Sequence, residues 1–264
     1  KLYGSYLHKY DVELNYDGTN RARPNHRSLG ALTGRLSVDH VSYQQWPKTY
    51  HFELKDGTTF DLNFRDLMIA PEGFRIIGYD WSQVELRVMA GLAQETTLIE
   101  AFRKGQDIHK TTASAMMKIP YEKVDKKLRA KGKTLNFATA YQSGAANIAE
   151  MLDSPTDPVT REDAEIMLRQ YYEGYPKLRG WMDRMQSNGK ESGFVMTPFG
   201  RKYTVWQFQQ MSQKKNRDKA NMLESEGKRL CVNAVVQGGA ADLLKFSMVE
   251  VSKIIKENNL QDKI

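Results

Sequence analysis

The sequence predicts an α+β fold, with strands concentrated before residue 80 and helices after it. Short apolar runs separated by Asp-Gly turn signals indicate strands and loops in residues 1–65. The apolar run 74–79 follows a Pro-Glu-Gly turn signal and predicts a strand that ends at Asp80. From Ser82 onward, apolar residues recur at the spacing of one helix face. Asp80 is therefore expected where a strand gives way to a helix.

Composition and charge narrow the class of protein. Lys and Arg number 39 against 32 Asp and Glu, a formal net charge of +7. This excess suits a phosphate-rich partner and equally serves general solubility. With 264 residues and 40% hydrophobic content, one or two domains with a core are expected. No run approaches the ~20 apolar residues of a membrane span, so no membrane partner is predicted.

The predicted location is the cytoplasm, or the host cytoplasm if the chain comes from a phage. The first residues lack the apolar run and cleavage site of a signal peptide. Cys231 is the single cysteine, which excludes an internal disulfide and suits a reducing compartment.

Capping and breaking signals delimit the predicted helices. Ser82 and Glu85 have the spacing of a capping box, and so do Thr160 and Asp163. Asp107 is predicted to cap a helical region, 108–150, that Pro120 interrupts.

Turn signals place the remaining elements. Gly174 and Pro176 should end one helix and begin the next. Residues 194–205 predict a hairpin, 209–219 an exposed Lys-rich loop or helix start, and 221–257 a long helix.

The octet 80–87, Asp-Trp-Ser-Gln-Val-Glu-Leu-Arg, is the first candidate for chemistry. A carboxylate after a strand can bind Mg²⁺ together with a neighbouring backbone carbonyl, which leaves coordination positions for phosphates. Two structural alternatives stay open at this point. Asp80 can belong to the N-cap region of the helix, and Glu85 can be the fourth member of the Ser82 capping box.

The second candidate is a stripe of four residues spaced four apart: Arg129, Lys133, Phe137 and Tyr141. On one helix these side chains extend over roughly 18 Å. A nucleoside triphosphate needs cations for its phosphates and an apolar face for its base or sugar, and the stripe offers them in that order. The alternative is an amphipathic helix with two solvated cations and two core aromatics.

The octet resembles motif A of the family A DNA polymerases, which commonly reads Asp-Tyr-Ser-Gln-Ile-Glu-Leu-Arg. The resemblance implies that Asp80 binds two catalytic Mg²⁺ ions and that the backbone carbonyl of Trp81 is a further ligand. It also implies that Glu85 packs against the sugar of the incoming nucleotide and blocks a 2′-hydroxyl.

The stripe resembles motif B of the same family, Arg-x₃-Lys-x₇-Tyr-Gly. The resemblance makes Arg129 and Lys133 ligands of the triphosphate, with Lys133 also catalytic. It places Phe137 beside sugar and base and Tyr141 at the templating position, hydrogen-bonded to Glu85. Two family glycines are replaced, by Ala138 and Gln142.

Further segments resemble family elements in the same order along the chain. Thr-Gly-Arg-Leu-Ser at 33–37 implies that Arg35 contacts the primer terminus, and Asp-Ile-His at 107–109 implies that His109 binds the triphosphate. The segment 197–201, Thr-Pro-Phe-Gly-Arg, resembles a hairpin of the fingers. A helix element that touches the DNA minor groove is matched by three residues: Arg229, Asn233 and Gln237.

The resemblance implies a right-hand polymerase fold, with an antiparallel palm sheet and a mostly helical fingers domain. Residues 1–30 would be the end of a thumb or the entry to the palm, 31–92 palm, 93–228 fingers, and 229–264 a return to the palm. The family's motif C, a His-Asp-Glu hairpin with a second catalytic aspartate, has no match in the sequence. We therefore expect the chain alone to be inactive and to need a C-terminal segment carrying motif C.

The implied reaction is template-directed addition of deoxynucleoside triphosphates to the primer 3′-hydroxyl of primer-template DNA, with two Mg²⁺ ions. Two alternatives are a single-subunit RNA polymerase, which Glu85 argues against, and a non-catalytic nucleic-acid-binding module that has kept the shape.

Overall fold

The structure is a computed structural model that describes residues 23–39, 42–46 and 49–263. Strands that the sequence predicts before residue 23 lie outside these ranges. The described strands form three two-stranded antiparallel sheets. They pair β1 (Asn25–Arg27) with β2 (Ser37–Asp39), β3 (Tyr50–Glu53) with β4 (Thr59–Leu62), and β5 (Phe194–Met196) with β6 (Lys202–Thr204).

Helices dominate from residue 84 onward, so the predicted α+β class is confirmed. The α-helices are α1 (Val84–Ala93), α2 (Thr96–Arg103), α3 (Ile108–Met117), α4 (Lys126–Ala140), α5 (Ala145–Leu152), α6 (Arg161–Gly174), α7 (Pro176–Ser192), α8 (Trp206–Ser212) and α9 (Arg217–Glu257). Short 3₁₀ turns lie at Tyr43–Gln45, Phe64–Leu67 and Tyr121–Lys123. None of the helices in the described ranges combines the length and the apolar character that a membrane span requires.

The chain divides into two compact units. The first takes in the described residues up to Asp80 and those from Leu243 onward, and the second is Trp81–Asp242. These units differ from the predicted palm and fingers boundaries at 92 and 228, and the assignment of palm and fingers stays a prediction.

The predicted strand 74–79 is wrong. These residues have no regular secondary structure, and their large apolar side chains are exposed. A strand requires a hydrogen-bonded neighbour, and no strand among the described residues pairs with this run. The apolar content of residues 74–79 therefore predicted a strand that has no hydrogen-bonded partner strand among the described residues.

The predicted Ser82 capping box is also wrong. Helix α1 begins at Val84, and its N-cap is Gln83, whose backbone is left-handed with φ of 53°. The Ser82 carbonyl instead accepts a hydrogen bond from Arg87 Nε at 2.9 Å. The left-handed residue turns the chain into the helix, so the Ser82 side chain does not reach the first helical N–H groups.

The other predicted helix signals are confirmed. The Asp107 carboxylate accepts hydrogen bonds from two N–H groups of α3, and Thr160 forms a complete capping box with Asp163. Helix α6 ends at Gly174, and α7 begins at Pro176. Each signal satisfies or removes a backbone donor locally, which explains why it can be read from neighbouring residues.

Packing in the second unit centres on α3, α4, α6 and α7. Helices α3 and α4 approach closely at Gly132, because a Cβ there would lie 2.3 Å from the His109 carbonyl oxygen. The buried Glu95 carboxylate accepts hydrogen bonds from the N–H groups of Lys177 at 3.0 Å and Leu178 at 3.3 Å. It thereby joins the start of α2 to the start of α7.

Candidate functional site

The predicted stripe of α4 faces solvent. Lys133 is exposed, Arg129 is half-buried, and Phe137 and Tyr141 keep 41% and 40% of their surface exposed. The opposite face of the helix is buried, with Leu135 and Ala138 in the core. The alternative in which both aromatics belong to the core is therefore wrong. The helix presents two cations and then two aromatic rings to solvent.

Asp107 connects the start of α3 to the stripe. Its carboxylate accepts from the N–H of His109 at 3.0 Å and of Lys110 at 3.2 Å, and from Arg129 Nε at 2.6 Å. Partial burial raises the pKa of Asp107, but the Arg129 guanidinium and the two N–H groups outweigh it and hold that pKa below its usual value. The ion pair fixes Arg129 beside the first turn of α3.

His109 lies behind the stripe, with 5% of its surface exposed. Its ring centroid is 5.9 Å from that of Phe137, at an interplanar angle of 40°. Burial is the main cause that lowers the pKa of His109; Arg129 and Lys133 lower it further, and Asp107 opposes them. Burial and the two neighbouring cations both disfavour the charged form, so the imidazole is held neutral near pH 7.

The predicted link between motif A and the stripe is present. Tyr141 OH donates a hydrogen bond to Glu85 Oε2 at 3.3 Å. The two residues lie 56 positions apart in the chain, so this contact joins the first turn of α1 to the end of α4.

Sequence reasoning missed two residues that surround His109. Gln83 Nε2 lies 3.3 Å from His109 Nε2, and Asn136 Nδ2 lies 3.1 Å from His109 Nδ1. The left-handed backbone of Gln83 cannot be read from a capping pattern. Asn136 and Thr139 are polar residues on the face of α4 that is otherwise buried and apolar, which was the available signal.

Asp80 and Trp81 are both exposed. Asp80 ends the first unit and Trp81 begins the second, whereas Glu85 and α4 lie within the second. The proximity of Asp80 to α4 stays a prediction. The alternative in which Asp80 caps α1 is not observed, because the N-cap residue is Gln83.

The donor chemistry of these two residues fits Mg²⁺, which prefers carboxylate and carbonyl oxygens. Among the described residues, however, no three His, Cys, Asp or Glu side chains cluster in a way that could hold a metal ion. Binding of Mg²⁺ by Asp80 and the Trp81 carbonyl stays a prediction.

The residues predicted to contact DNA lie in both units. Arg35 is exposed in the loop between β1 and β2, next to a Gly34 with φ of 79°. Arg229, Asn233 and Gln237 follow one another at four-residue spacing on α9, in the second unit. Asn233 Oδ1 is buried and has no hydrogen-bond partner among the described residues.

The 197–201 segment is the turn of the β5–β6 hairpin, and it is fixed to α9. Thr197 Oγ1 donates to Asp242 Oδ2 at 2.9 Å, and Arg201 donates to Asp242 Oδ1 and, at 3.0 Å, to the Gly238 carbonyl. The segment 197–201 and the α9 segment, which resemble separate family elements in the sequence, are thus in direct contact.

Comparison with known proteins gives matches along the whole chain. The sequence model of DNA polymerase family A matches residues 1–264. DNA polymerase I of Pseudomonas aeruginosa is 30% identical over 264 residues, which are 100% of this chain and 26% of the relative. The thermostable DNA polymerase I of Thermus aquaticus is 31% identical over 245 residues, 93% of this chain and 27% of the relative.

A solved structure is also similar. It is described as the POL domain of Pol1 from M. smegmatis in complex with DNA primer-template and dNTP. The TM-score is 0.77 at 26% identity, and the match covers 97% of this chain and 41% of the other. Both relatives named above extend well beyond the matched region, because the chain spans 26% of one and 27% of the other. From the family match along all its residues, the chain belongs to DNA polymerase family A.

Proposed function

We propose that this chain binds the incoming deoxynucleoside triphosphate in a template-directed DNA polymerase, with primer-template DNA as its second partner. The observation that carries the proposal is the solvent-facing stripe of α4, which orders two cations before two exposed aromatic rings. A packed structural helix would bury such rings instead.

The triphosphate would lie against the cationic half of the stripe. Arg129 and Lys133 supply charge-assisted donors, and neutral His109 supplies one further N–H. Arg129 already donates to Asp107, so its guanidinium is oriented before any phosphate arrives and needs less ordering on binding.

The sugar and base would lie against the aromatic half. Phe137 offers its exposed face to them, and Tyr141 would lie at the templating position. The Glu85 carboxylate, which accepts from Tyr141, would exclude a 2′-hydroxyl by steric contact and so favour deoxyribonucleotides. The bound DNA primer-template and dNTP in the M. smegmatis structure support this proposal.

Asp80 and the Trp81 carbonyl would hold Mg²⁺. When bound, a pair of such ions activates the primer 3′-hydroxyl and neutralises charge on the α-phosphate and pyrophosphate. Because the 264 residues contain no His-Asp-Glu triplet, we propose that the second catalytic aspartate comes from a segment outside them. Residues 31–92 and 229–264 would serve as palm and 93–228 as fingers, with Arg35, Arg229, Asn233 and Gln237 on DNA.

The experiment is nucleotide incorporation on a primed template, with the 264-residue chain alone and together with a polypeptide carrying motif C. Extension is expected only with the complement. Extension by the chain alone would contradict the divided metal site.

Variants separate the proposal from its alternatives. In the complemented protein, Asp80→Ala should abolish extension while leaving binding of primed DNA intact. Unchanged function in Asp80→Ala and Lys133→Ala would instead favour a non-catalytic nucleic-acid-binding module. Efficient use of ribonucleotides by the unaltered protein would favour an RNA polymerase.

A further inference from the structure

The ring of His109 lies between two amide side chains. The Asn136 amide nitrogen is 3.1 Å from Nδ1, and the Gln83 amide nitrogen is 3.3 Å from Nε2. A neutral imidazole carries one proton, so one ring nitrogen donates and the other accepts. Two amide nitrogens cannot both donate to such a ring. One of the two amides must turn its oxygen toward the imidazole.

The orientation of the Asn136 amide is fixed by its surroundings. The residue is fully buried, and its nitrogen lies 2.8 Å from Thr112 Oγ1. Thr112 Oγ1 also lies 3.0 Å from Asn136 Oδ1, and its single proton can go either to that oxygen or to the Ile108 carbonyl at 2.8 Å. Because the carbonyl is the nearer acceptor, we assign the proton to it. The hydroxyl oxygen then accepts from the nearer amide atom, the Asn136 nitrogen, and from Tyr175 OH at 2.9 Å.

The neighbour of the Asn136 amide oxygen is consistent with this orientation of the amide. Tyr171 OH lies 3.4 Å from Asn136 Oδ1 and can donate to it. The second N–H of Asn136 then points to His109 Nδ1, which must accept. Gln83 is only half-buried, so its amide is the one that can turn.

We propose that Asn136 is a positioning residue that keeps the single proton of His109 on Nε2. Before nucleotide binds, the Gln83 amide oxygen accepts from that N–H. When a triphosphate binds, one of its oxygens takes the place of Gln83 as acceptor. The last step rests on the proposed function, whereas the position of the proton does not.

The test is nitrogen NMR of the 264-residue chain labelled with ¹⁵N-histidine. Two-bond ¹⁵N–¹H spectra distinguish a ring nitrogen that carries a proton from one that does not. The chain has five histidines, and His109→Gln identifies the signals of His109 by their loss. In the unaltered chain near pH 7, Nε2 should carry the proton and Nδ1 should not. A proton on Nδ1 would overturn the proposal.

Asn136→Asp tests the role of Asn136 directly. A carboxylic acid is a stronger acid than imidazolium, so the Asp side chain should be ionised, and a carboxylate can only accept. Nδ1 of His109 should therefore become protonated, and the pKa of His109 should rise. If that chain does not fold, Asn136→Leu takes its place and should populate both tautomers. An unchanged Nε2–H tautomer in a folded variant would overturn the role of Asn136.

A matched pair of threonine variants tests the network behind Asn136. Thr112→Val removes the hydroxyl that orients the amide and should produce a mixture of His109 tautomers. Thr111→Val is the control, because Thr111 Oγ1 donates to the Asp107 carbonyl on the same helix and no contact joins it to Asn136 among the described residues. The same mixture in both variants would contradict the proposed network.

Titration with a deoxynucleoside triphosphate then separates the two proposals. At a pH at which the NMR spectra show His109 neutral in both chains, Asn136→Asp should weaken binding about tenfold or more, because the Nε2–H donor to a charged group is lost. Failure of the unaltered chain to bind the nucleotide would count against the proposed function. The tautomer measurement would remain valid in that case.

Discussion

Among single residues, Glu85 gives the most direct readout of sugar selection. Its carboxylate accepts from Tyr141 OH and lies in the first turn of α1. In the complemented polymerase, Glu85→Ala should raise the relative use of ribonucleotides, because the group that excludes a 2′-hydroxyl is gone. Competition between ribo- and deoxynucleotides measures the ratio of kcat/KM values.

Tyr141→Phe is the matched variant, since it removes the hydrogen bond but keeps the carboxylate. This hydrogen bond is long, at 3.3 Å, and exposed, so it should contribute no more than about 1.5 kcal/mol. The expected loss of discrimination is therefore about tenfold or less, and smaller than for Glu85→Ala. Equal discrimination in Glu85→Ala and the unaltered enzyme would contradict the assignment of Glu85.

Lys133 is a second single residue whose proposed role can be tested directly. Loss of a charge-assisted contact costs about 1.5–3 kcal/mol, so Lys133→Ala should weaken triphosphate binding about 10- to 100-fold. Lys126→Ala is the control, because Lys126 is an exposed cation in the first turn of the same helix. Isothermal titration with a deoxynucleoside triphosphate measures both. Similar losses in the two variants would indicate general electrostatic attraction instead of a specific site.

Residues on an exposed stripe could be predicted from spacing, because four-residue steps on a helix keep side chains on one face. The positions of Arg129, Lys133 and Tyr141 follow from this rule. Gln83 and Asn136 could not be found in this way, since their role depends on the ring of a residue more than twenty positions away.

At the scale of elements, the close contact between α3 and α4 sets a strict size limit at Gly132. A methyl group there would meet the His109 carbonyl oxygen at 2.3 Å, and both atoms belong to packed helices. Gly132→Ala should therefore destabilise the fold by about 1–3 kcal/mol, as overpacked cores do. Urea unfolding monitored by circular dichroism measures the free energy of unfolding.

Gly91→Ala is the control on α1. No atom lies within 4 Å of a Cβ at Gly91, and alanine is favoured over glycine in a helix by about 0.5–1 kcal/mol. A modest gain in stability is therefore expected. Destabilisation of both variants to the same degree would contradict the packing argument for Gly132.

Helix ends could be predicted because their causes are local. Asp107 and the Thr160 pair satisfy N–H groups within three residues, and Pro176 sets the backbone at its own position. The strand at 74–79 could not be judged locally, because a strand depends on a partner that sequence periodicity does not identify. The left-handed backbone at Gln83 likewise displaced a capping box that the residue types alone favoured.

At the scale of the whole molecule, four carboxylates should make the free energy of unfolding depend on pH in the acid range. Folding lowers the pKa of each. Hydrogen bonds from the Lys131 and Lys127 side chains lower the pKa of Asp157, and hydrogen bonds from Thr160 lower the pKa of Asp163. The Lys190 and Lys228 side chains lower the pKa of Glu224 in the same way. At Asp107 the Arg129 and backbone N–H bonds outweigh the effect of burial. The unfolded chain therefore binds more protons, and stability falls as the pH falls.

This contribution is fully present above the unfolded pKa values near 4 and is lost as the pH falls through the lower folded values. Urea unfolding at a series of pH values should show a steadily decreasing free energy of unfolding below about pH 4. Asp107→Asn should flatten the curve in that range. A curve that Asp107→Asn leaves unchanged would show that the Arg129 pair contributes nothing to acid sensitivity.

The hydrogen bonds of the buried Glu95 carboxylate bear on the order in which parts of the chain fold during translation. Its Oε2 accepts from the N–H groups of Lys177 and Leu178, which are synthesised more than eighty residues later. Until then, burying Glu95 would leave a carboxylate without these donors, at a cost of several kcal/mol. We therefore expect the α2 region to keep this side chain in water during translation and to close only after the first turn of α7 has left the exit tunnel.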